Sequence, residues 1–427
     1  MNKVLMVAYQ FPPVGGSGVQ RSAKFAKYLP LFGWEPVVLT RDDKKMALRD
    51  ESLLKELPPD IEIIRTRAYD LTVWPWILSK AGKFIAWKIL IPDGEVLWMK
   101  NAVGACLERI KKGDIKAVYT TSYPYSDHLM GLEIKKHYPD LFWLADFRDE
   151  WTNNPYLIDR PHRISRMKKE KELEKEVLEK ADILVTNTPI MKNNFVRLNP
   201  GIDLEKKMHV IPNGFDIEDF EHLERKKVIN LRFTITYTGA FYGRRKPDLF
   251  LKAVGNLVQT GKINKEKIRI RFIGSFKHDV LQRLIRSNGL EGAVETISYM
   301  DHEQCIKKMI ESDALLLIEG GGPGSEAFYT GKIFEYIQTG NPILSVIPEN
   351  GAAAELIRTT KTGIVCDWSD VDAIGKGFAD MYNSWENNEC IIDPDDNEIA
   401  RYDRKALTKS LADLLDIADQ YKSNRED

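Results

Sequence analysis

Short apolar runs separated by amphipathic stretches recur along the whole chain, and they fall into two sets. The first set opens with a strand over Lys3–Tyr9, a glycine- and proline-bearing loop over Phe11–Gly18 and a helical pattern over Gln20–Leu31. Strands over Pro36–Leu39 and Ala117–Thr121 follow, then a helix over Ser126–His137 and a strand over Leu141–Phe147. A charged helix over Arg163–Lys180 leads to strands over Ile183–Thr186 and His209–Ile211. The second set restarts with a strand at Arg232–Thr238 and a helix at Asp248–Leu257. It alternates through strands Ile268–Phe272, Ala293–Ile297, Ala314–Ile318 and Pro342–Ser345, with helices Val280–Arg286, His302–Ser312 and Lys332–Thr339. Such Val/Ile/Leu-rich runs predict parallel sheets, because parallel neighbours need a crossover helix between them. The predicted fold class is α/β, with two doubly wound, Rossmann-like domains facing across a cleft. Ligands of such sheets bind beyond the carboxyl ends of the strands.

The turn residues Pro212-Asn213-Gly214 and the charged stretch Glu218–Lys227 predict the break between the sets. This gives an N-terminal domain over 1–220, a C-terminal domain over 228–400, and a last segment, 401–427, with a helical pattern over Asp403–Leu415.

With 427 residues the chain is too long for one core, which agrees with two domains. A net charge of -1 gives no overall field for nucleic acid, so no nucleic-acid partner is expected. The four cysteines, Cys106, Cys305, Cys366 and Cys390, are scattered without ligand spacing. They read as reduced thiols rather than a disulfide frame or a metal site, and a cytoplasmic location is expected. The opening apolar run lacks the length and cleavage pattern of a signal peptide, and no apolar stretch is long enough to span a bilayer. The stretch 74–91 mixes Trp76, Ile77, Phe84, Ile85 and Trp87 with Lys80, Lys83 and Lys88. That pattern suits either a core-packing helix or a peripheral contact with the inner face of a membrane.

Four segments carry candidate chemistry. The loop after the first strand holds Gly15 and Gly16, where backbone N–H groups can meet a ligand or where the chain simply turns. Gly16-Ser17-Gly18 begins a dinucleotide fingerprint, but Arg21 stands at the third glycine position and Thr40-Arg41 follow the second strand, which argues against NAD. After strand Arg232–Thr238, Gly239 leads to Arg244, Arg245 and Lys246, either an anion site or a solvated basic turn. The glycine-rich loop from Gly320 leads into a helix starting near Gly331 or Lys332. Backbone N–H groups and Lys332 can meet a diphosphate, while Glu335, one turn in, can accept from two ribose hydroxyls. Plain flexibility is the other reading of those glycines. In Asp146-Phe147-Arg148-Asp149, Asp149 is a candidate acid/base or hydroxyl acceptor, with an Arg148 ion pair to Asp146 or Asp149 as the structural alternative. Asp393-Pro394-Asp395 has a DxD spacing in an acidic loop and reads as solvated.

Together the residues resemble glycosyltransferase family 4, retaining enzymes of the GT-B fold. The resemblance rests on Tyr9-Gln10-Phe11-Pro12-Pro13-Val14-Gly15-Gly16, on Val210-Ile211-Pro212-Asn213-Gly214-Phe215-Asp216 and on Thr238-Gly239 through Lys246. It rests also on Gly331-Lys332-Ile333-Phe334-Glu335-Tyr336 with Gly340-Asn341-Pro342. It implies that Arg244 and Arg245 hold the donor diphosphate and act in catalysis, that Glu335 binds the ribose, and that the Gly15–Gly16 loop lies beneath the diphosphate and sugar. Gly239, Gly331 and Lys332 complete the donor site, and Tyr299 lies near the base. No metal or other cofactor is implied, and the last helix is expected to cross back to the N-terminal domain. Two positions depart from the family pattern. Ala327, beside Glu326, stands where many members have a glutamate, and the DFRD segment stands where many have a histidine. The DFRD-x-W pattern is similar to a branch associated with bacterial surface polysaccharides. The resemblance thus implies retaining transfer of a sugar from a nucleotide-diphosphate donor to a glycan or lipid-linked acceptor. A nucleotide-sugar epimerase and a non-catalytic nucleotide-sugar-binding subunit are the alternatives.

Overall fold

A computed structural model describes residues 1–42, 49–68, 89–159, 163–221, 223 and 229–426. The chain falls into two units, Met1–Pro212 together with Arg404–Asp427, and Asn213–Asp403. The division between them comes at Pro212/Asn213, in the turn that opens the expected break and ahead of the domain limits at 220 and 228.

The first unit holds a seven-stranded parallel sheet. Its strands are β1 (Asn2–Val7), β2 (Trp34–Arg41), β3 (Glu62–Thr66), β4 (Ile115–Ser122), β5 (Phe142–Phe147), β6 (Ile183–Thr186) and β7 (Met208–Val210). Their spatial order is β3-β2-β1-β4-β5-β6-β7. Val4 to Val7 are fully buried, as a strand covered on both faces requires. The chain runs outward from β1 to β3, then returns to place β4 on the other side of β1. The switch point of the sheet therefore lies between β1 and β4, where ligands of doubly wound folds bind.

The second unit repeats the plan with β8 (Phe233–Thr238), β9 (Ile268–Ile273), β10 (Val294–Ile297), β11 (Ala314–Ile318), β12 (Ile343–Ile347) and β13 (Gly363–Asp367). The order is β10-β9-β8-β11-β12-β13, with all pairings parallel and the switch point between β8 and β11. Helices Asp248–Gln259 and Val371–Glu386 cover one face, where Phe378 lies edge-on to Phe233 and Phe250 at 5.6 and 5.9 Å. Helix Gly331–Thr339 covers the other with Ile333, Phe334 and Ile337.

The last helix, Arg404–Glu426, presents Leu407, Leu411 and Leu415 at successive turns, with Ala418, to the core formed by Phe25, Leu29 and Trp34. The Trp34 indole N–H donates to Asp416 at 2.8 Å. This helix therefore belongs to the first unit although it follows the second in the chain.

Most predicted elements are present with ends moved by a few residues. The apolar pattern missed β3, β13 and the helices Met99–Ile110, Pro189–Leu198, Ala352–Thr360 and Val371–Glu386. β3 is an edge strand with every residue half-buried, so its sequence is not apolar enough to stand out. Part of the expected linker is a helical turn, Glu218–Glu221, anchored by buried Phe220, while residues 222 and 224–227 lie outside the described residues. Of the membrane-contact stretch 74–91, residues 74–88 also lie outside them. No helix among the described residues is long and apolar enough to cross a membrane.

Candidate functional site

In the first unit, three strand-end loops meet around Arg148. Its guanidinium donates to the carbonyls of Ser122, Tyr123 and Gly18, so the loops after β4 and β1 are both held from the end of β5. Gly18 is boxed by this clamp, since a β-carbon there would overlap Gln10. The predicted Arg148 ion pair is replaced by a different one. Asp146 takes two hydrogen bonds from Arg21, at 2.7 and 2.9 Å, and one from Tyr119 Oη at 2.5 Å. Arg148 is drawn instead to the backbone carbonyls of Ser122, Tyr123 and Gly18. Gly16, with φ 110, is exposed and precedes helix Ser17–Tyr28, with Gly15 half-buried beside it.

Asp149 is half-buried in the next loop, which is fixed from below by helix Ile164–Lys180. Glu170 accepts from the Trp151 indole at 2.7 Å, and Glu174 accepts from the Thr152 N–H and hydroxyl at 2.7 and 3.0 Å. Glutamates four residues apart lie on one helix face, so a single helix holds two successive loop residues. Burial pushes the Glu174 carboxyl up to about 7. Tyr125 stacks on Trp151 at 4.8 Å and donates to the Glu150 carbonyl. His128, which the sequence reading passed over, is fully buried against Phe147, and burial pushes its imidazole down to about 3. It is therefore neutral near pH 7.

In the second unit, the predicted donor residues converge at the carboxyl ends of β8 and β11. Lys332, Glu335 and Tyr336 share one face of helix Gly331–Thr339, at i, i+3 and i+4. Tyr336 Oη accepts the Thr238 N–H at 2.9 Å, which pins the helix to the end of β8. Lys332 donates to the Thr238 carbonyl, with Nζ 4.0 Å from the centre of the Tyr237 ring. Burial, and secondly Arg245, pushes its ammonium down to about 7. Gly239 has φ 107, and a β-carbon there would come within 2.8 Å of Lys332 Nζ. Only glycine meets both demands. Arg245 donates to Tyr242 Oη at 2.8 Å and lies over that ring at 5.2 Å. Arg244 turns the other way, to the Pro323 carbonyl at 3.0 Å and Ser325 Oγ at 2.7 Å.

The glycine-rich loop is not slack. A β-carbon at Gly320 would overlap the Arg244 backbone, one at Gly321 would overlap the Trp368 indole, and one at Gly322 would lie 2.9 Å from Arg244 Nη1. Behind it, buried Glu319 accepts the Thr330 N–H at 3.1 Å, and burial raises its pKa despite Arg245 and Lys332. Glu335 faces His302, whose Nε2 lies 2.9 Å from Oε1. His302 begins the helix that Asp301 caps through the Gln304 N–H, and the D-x-x-Q spacing is the sequence signal that marks this start. Tyr299 follows β10 and is 62% exposed. Ala327 is fully buried and Glu326 half-buried in the turn Ser325–Ala327. Asp395 is not merely solvated: it caps helix Asp396–Ala400 by accepting the Glu398 N–H at 3.2 Å.

The second unit is thus a doubly wound unit with Arg245, Lys332 and Glu335 near its switch point, where ligands of such folds bind. The family described as glycosyl transferases group 1 matches residues 219–394, which lie within the second unit. No curated protein matches the chain by sequence. Sucrose-phosphate synthase from Thermosynechococcus elongatus shares the fold at TM-score 0.64 and 15% identity, over 97% of this chain and 98% of that one. WaaG, a glycosyltransferase involved in lipopolysaccharide biosynthesis, does so at TM-score 0.61 and 13% identity, over 96% and 99%. A putative UDP-N-acetylglucosamine 2-epimerase from Listeria monocytogenes gives 0.51 and 14%, over 96% and 94%. These likenesses identify the fold as the two-unit GT-B type.

Proposed function

We propose that the protein moves a glycosyl group from a nucleotide-diphosphate sugar to a glycan or lipid-linked acceptor, with retention at the anomeric carbon and without a metal. The observation that carries this reading is the meeting of Arg245, Lys332 and Gly239 at the end of β8, one helical turn from Glu335. Two cations held at one strand end suit the leaving diphosphate, whose growing negative charge they offset. Glu335 accepts from the ribose hydroxyls, and Tyr299 lies on the base side. Asp149, on the loop that Glu170 and Glu174 hold, is the candidate acid/base or acceptor-hydroxyl partner of the first unit. The surface-polysaccharide role is supported by the DFRD-x-W segment and by the lipopolysaccharide role in the WaaG description.

The test is a thermal-shift screen of nucleotide sugars followed by turnover assays with and without acceptor. A ligand at about 100 times its Kd adds ~2.7 kcal/mol of stability, which such a screen detects. Arg245→Ala is expected to keep the fold and lose most donor hydrolysis and transfer. Unchanged turnover across the panel would sink the assignment, and epimerised sugar formed without acceptor would replace it with an epimerase.

A further inference from the structure

The second unit carries its polar groups along the sheet edge in spatial order. His302, after β10, meets Glu335; Lys332, one turn earlier on that helix, meets the end of β8; Arg244, on the loop after β8, meets the glycine-rich loop after β11. The next contact in this series is Trp368, directly after β13. Its indole packs so closely on Gly321 that any side chain there would overlap Nε1 and Cε2. The indole is 37% exposed, and its N–H has no hydrogen-bond partner among the described residues.

A partly exposed tryptophan whose indole N–H has no partner among the described residues, seated on a glycine at a strand end, is available to a ligand. An indole of this kind offers an apolar face to sugar C–H groups and one N–H to a hydroxyl. If the ribose lies at Glu335 and the diphosphate at Lys332 and Arg245, the ligand continues away from β10 toward β13. We propose that Trp368 forms the glycosyl end of the donor site and contacts the sugar ring, so that it sets donor-sugar preference. This rests on the nucleotide-sugar reading of the same unit.

The experiment titrates UDP, GDP and ADP, and the glucose and galactose conjugates of whichever binds, into wild type, Trp368→Ala and Trp368→Phe by calorimetry. Trp368→Ala is expected to leave nucleoside-diphosphate affinity within about twofold while weakening the sugar conjugate roughly tenfold, with Trp368→Phe between. Matching melting curves confirm that both variants fold. Equal weakening of diphosphate and conjugate would reduce Trp368 to a prop for the loop and overturn the proposal, as would no change in either. A wild type that binds none of the diphosphates would instead overturn the nucleotide-sugar reading itself, and this inference with it.

Discussion

Arg21 and Asp146 form a fully buried, two-pronged ion pair, with 1% and 0% of their side chains exposed. The remaining guanidinium donors reach the Ile211 and Pro212 carbonyls at 2.9 and 2.8 Å, so one arginine joins the first helix, the end of β5 and the segment that closes the unit. Burial opposes its charge, but the Asp146 field and hydrogen bonds outweigh it and hold the pKa above the ordinary arginine value. Removing one partner strands the other charge. Arg21→Ala is expected to destabilise the first unit by about 3–5 kcal/mol, whereas Arg21→Met with Asp146→Leu recovers most of that loss. Denaturant unfolding measures both, and a single-variant loss under about 1 kcal/mol would contradict a load on this pair.

Lys332 titrates near the working pH because burial disfavours its ammonium. An arriving diphosphate favours the charged form, so binding takes up a proton around pH 7 to 8. Affinity should fall as pH rises through about 7, by at most about tenfold per unit. Calorimetry in buffers of different ionisation heat reads this proton directly. Lys332→Met abolishes the uptake; its persistence in that variant would assign the proton elsewhere.

Gly320 faces the Arg244 backbone, with the Arg244 β-carbon 2.7 Å from where its own would stand. Gly320→Ala is expected to shift the basic loop, costing about 1–3 kcal/mol of stability and most nucleotide affinity. Gly201→Ala, at a position with open space around it, serves as the control. Equal behaviour of the two variants in melting and binding would refute the close approach.

Glu174 keeps its proton to about 7 when folded, against the ordinary 4.5. A raised carboxyl pKa means that the folded state binds the proton more tightly than the unfolded chain does. Its stabilising contribution is complete below about pH 4.5 and is lost as pH rises through 7, a swing of about 3 kcal/mol. Glu174→Gln keeps an acceptor for the Thr152 N–H and should flatten this part of the pH–stability curve between pH 5 and 8. An unaltered curve would place the titration on another group.

The alternation of apolar runs was enough to read both sheets, because strand and helix periodicities are local and a parallel pair demands a crossover helix. Half-buried edges such as β3 escaped that reading, since their residues carry no clear alternation. The shared face of helix Gly331–Thr339 was legible for a similar reason. Lys332, Glu335 and Tyr336 lie within one helical turn of each other, so their common face follows from spacing alone.

The sequence by itself determined the two parallel α/β units and nominated Arg244, Arg245, Lys332 and Glu335 as one group, from which Arg244 turns away to Pro323 and Ser325. Only the tertiary structure decided which partner each charge takes. Arg21 and Asp146 are 125 residues apart and meet because β4 and β5 lie on the far side of β1. His302 reaches Glu335, and Trp368 reaches Gly321, through the same kind of strand order. That order is set by how crossover helices pack on a sheet, and no local pattern of residues encodes it.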